Sequence, residues 1–144
     1  MKVQSAIKLI DTKIVSSNFS TTTLDKKISS ELDFTVNFGA SRVNEKDNSF
    51  LLNFDGILKT DESKDPEKMI LKMQFVAVFE TSEPVDEEFF ESHFARINAP
   101  AIAFPFFRNA IAQYLTLAGF DPTYLPSINF SAVENNPENK SGKE

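Results

Sequence analysis

Cysteine and tryptophan are absent from this chain of 144 residues, and histidine occurs once. The lack of cysteine excludes disulfide bonds, thiolate catalysis and thiolate-ligated zinc. His93 has no carboxylate pair at metal-ligand spacing, so we interpret it as a structural or solvated side chain. The four glycines are too few to build a phosphate-cradling loop. We therefore predict a protein that is not an enzyme, with no catalytic residues, no metal site and no cofactor.

Long apolar runs and excess positive charge are also missing. No stretch approaches the roughly 20 apolar residues of a membrane span, and residues 1–5 lack a signal-peptide profile, so we expect a cytoplasmic protein without membrane insertion. The 21 acidic and 15 basic residues give a net charge of −6, which argues against binding to nucleic acid. The length fits one domain. We place it at residues 1–133 and predict a disordered polar tail at 134–144, because no apolar residue follows Val133.

Phenylalanine is the residue that the sequence has in excess, with 15 against two tyrosines. Such an aromatic set has almost no polar groups, so it favours a core, an interface or an apolar binding groove. The same composition in an acidic, soluble chain agrees with binding of unfolded or cationic polypeptides, and equally with an ordinary soluble domain.

Alternating polar and apolar residues predict strands in the first half of the chain. Residues 6–15 begin as a strand, and residues 16–27 are either a loop or an extended edge segment with a bulge. Clean alternation follows in three further runs, at residues 31–38, 50–55 and 69–80, which together predict a meandering antiparallel sheet. We interpret Gly56 as a bulge or bend. On the last run the face that should be solvated carries Val76 and Val78, so we expect another subunit to cover it.

The period becomes helical after Pro84. Residues 86–97 predict a short, phenylalanine-faced helix. Two prolines then predict a break at 98–105, followed by a second helix from about residue 106 to 118 that ends at Gly119. This helix is apolar around most of its circumference and needs burial on two sides, so we predict a homo-oligomer, a dimer or tetramer. Its expected interface consists of Phe107, Ala110, Ile111, Tyr114, Leu115 and Ala118, together with Val76 and Val78 of the sheet.

Residues 98–108 read Asn-Ala-Pro-Ala-Ile-Ala-Phe-Pro-Phe-Phe-Arg, and this stretch resembles the signature of the SecB export chaperones. The similarity continues through Gly119 and Phe120 and through the Leu-Pro-Ser-Ile-Asn-Phe of 125–130. The specific resemblance covers residues 90–130, whereas the upstream half matches in the order of elements. It implies an α+β fold, in which a four-stranded antiparallel sheet is packed on one face by a short helix, a proline-containing crossover loop and a long helix.

The resemblance also implies a function, namely an ATP-independent holdase that binds unfolded preproteins in apolar grooves and delivers them to the SecA motor. The family's tail is strongly acidic, whereas residues 134–144 here mix three glutamates with two lysines. The alternative is an adaptor domain for one specific partner, such as an antitoxin or a mobile-element protein. For any single phenylalanine the competing interpretation is a core position, so the groove prediction depends on the set. The predicted client-binding residues are Phe90, Phe94, Ile97, Ile102, Phe104 and Phe106.

Overall fold

Four strands and a long helix make up most of the chain in the computed structural model, which describes residues 7–28, 31–43, 46–60 and 68–130. The predicted tail at 134–144 lies outside the described residues. The strands, in chain order, are β1 (Ile7–Thr21), β2 (Leu32–Val43), β3 (Lys46–Thr60) and β4 (Met69–Thr81). The helices are α1 (Glu87–Phe90), a π-helical turn (Phe94–Asn98) and α2 (Ala99–Leu117).

The strands form one antiparallel sheet in the order β1-β4-β3-β2. Alternation places one side chain of every two on the face that the helices cover, as β4 shows: Leu71, Met73 and Phe75 are buried, whereas Lys72 and Gln74 are exposed. The predicted α+β class and the four-stranded antiparallel sheet with a long helix are confirmed.

β1 resolves the alternative that the sequence left open for residues 16–27. The strand continues to Thr21 along the sheet edge, with register shifts between Leu9 and Asp11 and between Ile14 and Ser16. Each shift adds one residue opposite β4, which is a β-bulge, and both extra residues lie before Ser16. Residues 16–21 are therefore extended edge strand, whereas residues 22–27 form a loop. These irregularities explain why the alternation of the sequence weakens near Asp11.

The segment 98–105 is helical, so the predicted proline-containing break is wrong. Pro100 lies in the first turn of α2, directly after the π-helical turn, and the backbone stays helical through Asn98 and Ala99. Pro105 lies inside the helix and removes the hydrogen bond to the carbonyl of Ala101, but both residues face solvent, where water can satisfy that carbonyl. Burial of Phe104 and Phe107 on the opposite side offsets the cost of the proline.

Phenylalanine rings fill the space between the sheet and α2. Phe107 is stacked on Phe54, with ring centroids 5.1 Å apart, and its centroid lies 5.3 Å from that of Phe75. Gly56 lies beneath this ring without any shift in register, so the predicted bulge is wrong. A methyl group at Gly56 would lie 2.6 Å from Cζ of Phe107, and the glycine therefore permits a close approach of helix and sheet.

α2 ends in a Schellman motif that turns the chain back. The amide of Phe120 donates to the carbonyl of Leu115, and the amide of Gly119 donates to that of Thr116. Gly119 has a φ of 110°, which a residue with a side chain rarely adopts. The chain then runs beside the helix, where the buried side chains of Leu125 and Phe130 fix it to the core.

Candidate functional site

A groove of about 1010 Å³ lies between the outer side of α2, the returning segment 122–125 and the edge strand β1. The reversal at Gly119 creates it, because the returning segment forms a second wall beside the helix. Its lining consists of Ile14, Pro105, Arg108, Asn109, Ala110, Ala112, Gln113, Tyr114, Thr116, Leu117, Pro122, Thr123, Tyr124 and Leu125.

The walls of this groove are largely apolar and open to solvent. Leu117 is 90% exposed and Tyr124 is 95% exposed, so both offer apolar surface to a ligand in the groove. Asn109, Gln113 and Thr116 add neutral hydrogen-bonding groups along the helix. Such a surface can bury apolar side chains and form hydrogen bonds with a peptide backbone. It discriminates little between ligands of different sequence.

Arg108 supplies the only charge among the residues that line the groove. Its Nη1 donates to Oγ of Ser127 at 2.7 Å, and its guanidinium carbon lies 5.9 Å from the ring centroid of Phe104. The hydroxyl and the ring together fix the plane of the guanidinium.

A second arginine holds the short helix against the sheet. Arg42 of β2 donates from Nη1 to the carbonyl of Val85 at 3.0 Å and pairs through Nη2 with Oε1 of Glu87 at 3.1 Å. Its guanidinium carbon lies 5.3 Å from the ring centroid of Phe90. Asp86 caps α1 by accepting from the amide of Phe89 at 2.8 Å. These contacts fix the direction in which the aromatic side chains of α1 point.

The six predicted client-binding residues separate into three groups. Ile102 and Phe106, one turn apart on α2, are 45% and 50% exposed, and they form an apolar ridge. Phe90, Phe94 and Ile97 are half-buried beside the core. Phe104 is only 3% exposed and contacts Phe54, Phe107 and Phe130. It belongs to the core, so its assignment to a client groove is corrected.

Three of the predicted interface residues are likewise core residues. Phe107, Ile111 and Leu115 face the sheet with at most 1% of their surface exposed, so they are not available to another subunit and the prediction is corrected. Ala110 and Tyr114 are half-buried in the groove, and Ala118 is exposed. Val76 and Val78 are half-buried on the sheet face opposite the helices, as the alternation indicated. Whether they meet a second copy stays a prediction.

Sequence reasoning missed the second wall of the groove. The apolar residues of the segment 122–125 follow neither a helical nor a strand period. Ile14 was predicted to lie in a strand, but no function was assigned to it. The signal that could have found them is Gly119 followed by Pro122, which together predict a sharp reversal after the helix.

Neither metal-binding clusters nor membrane spans occur in the described part of the chain. Across residues 7–28, 31–43, 46–60 and 68–130, no three histidine, cysteine or acidic side chains are grouped so as to hold a metal ion. Of the helices in the same ranges, none combines the length and apolar character that crossing a membrane requires.

The sheet order, the long helix and the returning segment define a SecB-like fold. The structure superposes on the Mycobacterium tuberculosis SecB-like chaperone, which was solved in complex with a ChAD peptide from an antitoxin. The TM-score is 0.66 at 12% identity, covering 85% of this chain and 90% of the other. At this identity the likeness concerns the fold.

The model of the family described as preprotein translocase subunit SecB matches residues 7–140, and the chain belongs to this family. It is 42% identical over 67 residues to the protein-export protein SecB of Anaplasma phagocytophilum, covering 44% of this chain and 41% of the relative. It is 32% identical over 74 residues to that of Burkholderia vietnamiensis, covering 51% and 45%. The chain thus spans less than half the length of these relatives. The family is one of protein-export chaperones rather than enzymes.

Proposed function

We propose that this protein is an ATP-independent holdase that binds non-native polypeptide segments in the groove beside α2. The observation that carries the proposal is the combination of an open groove of about 1010 Å³ with fully exposed Leu117 and Tyr124 in its walls. The ridge of Ile102 and Phe106 adds apolar surface for the same client, with the half-buried Phe90, Phe94 and Ile97 at its side.

Binding energy in such a groove accumulates over several weak contacts. Each Leu, Val or Phe side chain of a client that becomes buried contributes roughly 1.5–3 kcal/mol. Ordering each flexible side chain costs about 0.5–1.5 kcal/mol, so a single contact gives little affinity. An extended client that fills the groove and then reaches the ridge gains from several contacts at once. Weak sequence dependence follows, because no contact is a specific hydrogen-bonded pair.

The experiment is aggregation of unrelated unfolded proteins, followed by light scattering at stoichiometric amounts of the protein and without nucleotide. We expect suppression for several clients. Leu117→Gln should weaken it, because Leu117 lines the groove. Leu24→Gln is the matched control, since Leu24 is 101% exposed and is not among the lining residues. If the two substitutions weakened the suppression of aggregation equally, the groove would not be the binding site. If the protein suppressed the aggregation of none of the clients, the proposal of a holdase would be refuted.

The second candidate is an adaptor for one folded or partly folded partner. The fold likeness to a chaperone solved with an antitoxin peptide favours this candidate. The same scattering assay separates the two, because an adaptor would bind one partner tightly and leave unrelated aggregating proteins unaffected. Calorimetric titration with SecA tests the export role that the family suggests.

We further propose a cytoplasmic homo-oligomer built on the face of the sheet that points away from the helices. Leu51, Val76 and Val78 are half-buried there, and Ile57 is 38% exposed. In a monomer these apolar side chains would stay in contact with water, and a second copy on this face would bury them. Size-exclusion chromatography with light scattering at micromolar concentration should give a dimer or tetramer, and Val76→Lys should shift it toward the monomer. A monomeric wild-type protein would contradict this.

The domain limits 1–133 and 134–144 are tested by limited proteolysis.

A further inference from the structure

A turn of π-helix separates the aromatic residues of α1 from the regular helix α2. The amide of Ala99 donates to the carbonyl of Phe94, five residues earlier, whereas in an α-helix it would donate to that of Ala95, four residues earlier. The turn therefore contains one residue more than a turn of α-helix. If it relaxed into an α-helix, Phe94 and the residues before it would rotate by about 100° relative to α2.

Pro100 accounts for the position of this turn. Its side chain is fully buried in the first turn of α2. In a continuous α-helix the proline ring would collide with the carbonyl of Arg96, four residues earlier. The wider π-turn shifts that carbonyl relative to the ring. Pro105 lies on the exposed side of α2 and needs no such turn, whereas the buried ring of Pro100 cannot move away toward solvent.

The residues before the turn are tied both to the sheet and to the turn itself. The ring centroid of Phe89 lies 5.0 Å from that of Phe50 in the core. The hydroxyl of Ser92 donates to the carbonyl of Phe89 and accepts from the amide of Ala95 at 3.3 Å. This hydroxyl therefore joins α1 to the π-turn, so a change of helical register would rotate the aromatic residues of both segments together.

We propose that Pro100 is a positioning residue, which holds the π-turn and thereby sets the direction of the aromatic side chains that contact a client. The inference rests on the proposed function, in which the half-buried Phe90 and Phe94 lie beside the apolar ridge, and it adds the residue that orients them. In the π-turn Phe94 lies below Ala99 along the helix, a place that Ala95 would take in an α-helix. The client surface would then present a methyl group where it now presents a ring.

The experiment uses the full chain with Pro100→Ala, which removes the ring that opposes an α-helix at this position. Amide hydrogen exchange over 87–95 should become roughly three- to tenfold faster, because rotation of the segment breaks the contact of Phe89 with Phe50. Suppression of client aggregation should need roughly three- to tenfold more protein, as for the loss of one aromatic contact. Pro105→Ala is the control for exchange, since it restores an amide where the helix is already regular, and exchange over 87–95 should stay as in wild type.

Deletion of Asn98 separates an effect of register from a general loss of stability. Asn98 is exposed, and its deletion removes the extra residue, so that the amide of Ala99 meets the carbonyl of Phe94 within a regular α-helix. Combined with Pro100→Ala, the deletion should restore wild-type exchange and wild-type suppression of aggregation. In the presence of Pro100 the same deletion should lower the urea midpoint of unfolding, because the ring then meets the carbonyl of Ala95.

Unchanged exchange over 87–95 in Pro100→Ala would overturn the proposal, as would a double variant that recovers neither exchange nor suppression. Equal tolerance of the deletion of Asn98 with and without Pro100 would also overturn it, because the proline would then not oppose the α-helix. A wild-type protein that suppresses no aggregation refutes the holdase instead, and the exchange measurements still decide whether Pro100 holds the turn.

Discussion

Replacing Gly56 by alanine tests how rigidly the phenylalanine core is packed against the sheet. The new methyl group would lie 2.6 Å from Cζ and 3.2 Å from Cε2 of Phe107, and 3.4 Å from Cε1 of Phe34. Carbon atoms prefer separations of about 3.5–4.0 Å, so the ring of Phe107 must move by roughly 1 Å. It cannot do so freely, because it is fully buried and stacked on Phe54.

The expected loss follows from two opposing contributions. Overpacking of a core costs about 1–3 kcal/mol. Alanine has less conformational freedom than glycine in the unfolded chain, and this difference stabilises the folded protein by about 0.4–1 kcal/mol. We therefore expect Gly56→Ala to lower the free energy of unfolding by about 1–2 kcal/mol. The assay is urea unfolding followed by circular dichroism at one fixed protein concentration, since assembly would make stability depend on concentration.

Gly39 provides the matched control on the neighbouring strand. A methyl group there would meet no atom within 4 Å, so Gly39→Ala should be neutral or slightly stabilising. Combining Gly56→Ala with Phe107→Leu should cost less than the sum of the two single changes, because the smaller side chain leaves room for the methyl group. If Gly56→Ala and Gly39→Ala had the same stability, the close approach of α2 to β3 would not be rigid and the reasoning would fail.

Two further predictions concern neighbouring side chains. Phe107→Ala should lower the free energy of unfolding by about 3–5 kcal/mol, whereas Phe106→Ser, at a half-exposed position, should cost under about 1 kcal/mol; equal losses in urea unfolding would contradict the burial described above. Arg42→Met removes the contacts that hold α1, so amide hydrogen exchange over 87–95 should accelerate while that of β4 stays unchanged. Unchanged exchange at 87–95 would show that ring packing alone holds the helix.

The strands were predictable because alternation reports directly which side chains share a face. Phe50, Leu52 and Phe54 illustrate this, since all three are buried as their spacing indicated. The edge strand was harder to predict because its two bulges break the period near Asp11 and Ser16. Family resemblance added the long helix that follows the sheet, although the proline-containing loop that it also implied is helical in the structure.

The site was less predictable because a period does not tell what covers a face. Phe107, Ile111 and Leu115 were assigned to an interface with another subunit, but they face the chain's own sheet. The local rule for proline predicted a break at 98–105, and burial of Phe104 on the opposite side of the helix overrode it. The second groove wall has no regular secondary structure, so hydrophobic periodicity could not predict it.

The distribution of tyrosine gives this protein an intrinsic optical probe. It has two tyrosines and no tryptophan, and both tyrosines, Tyr114 and Tyr124, line the same groove. The tyrosine emission of the unmodified protein therefore comes from this one location. A bound segment containing tryptophan would quench that emission by energy transfer, so occupancy of the groove can be followed in real time without attaching a dye.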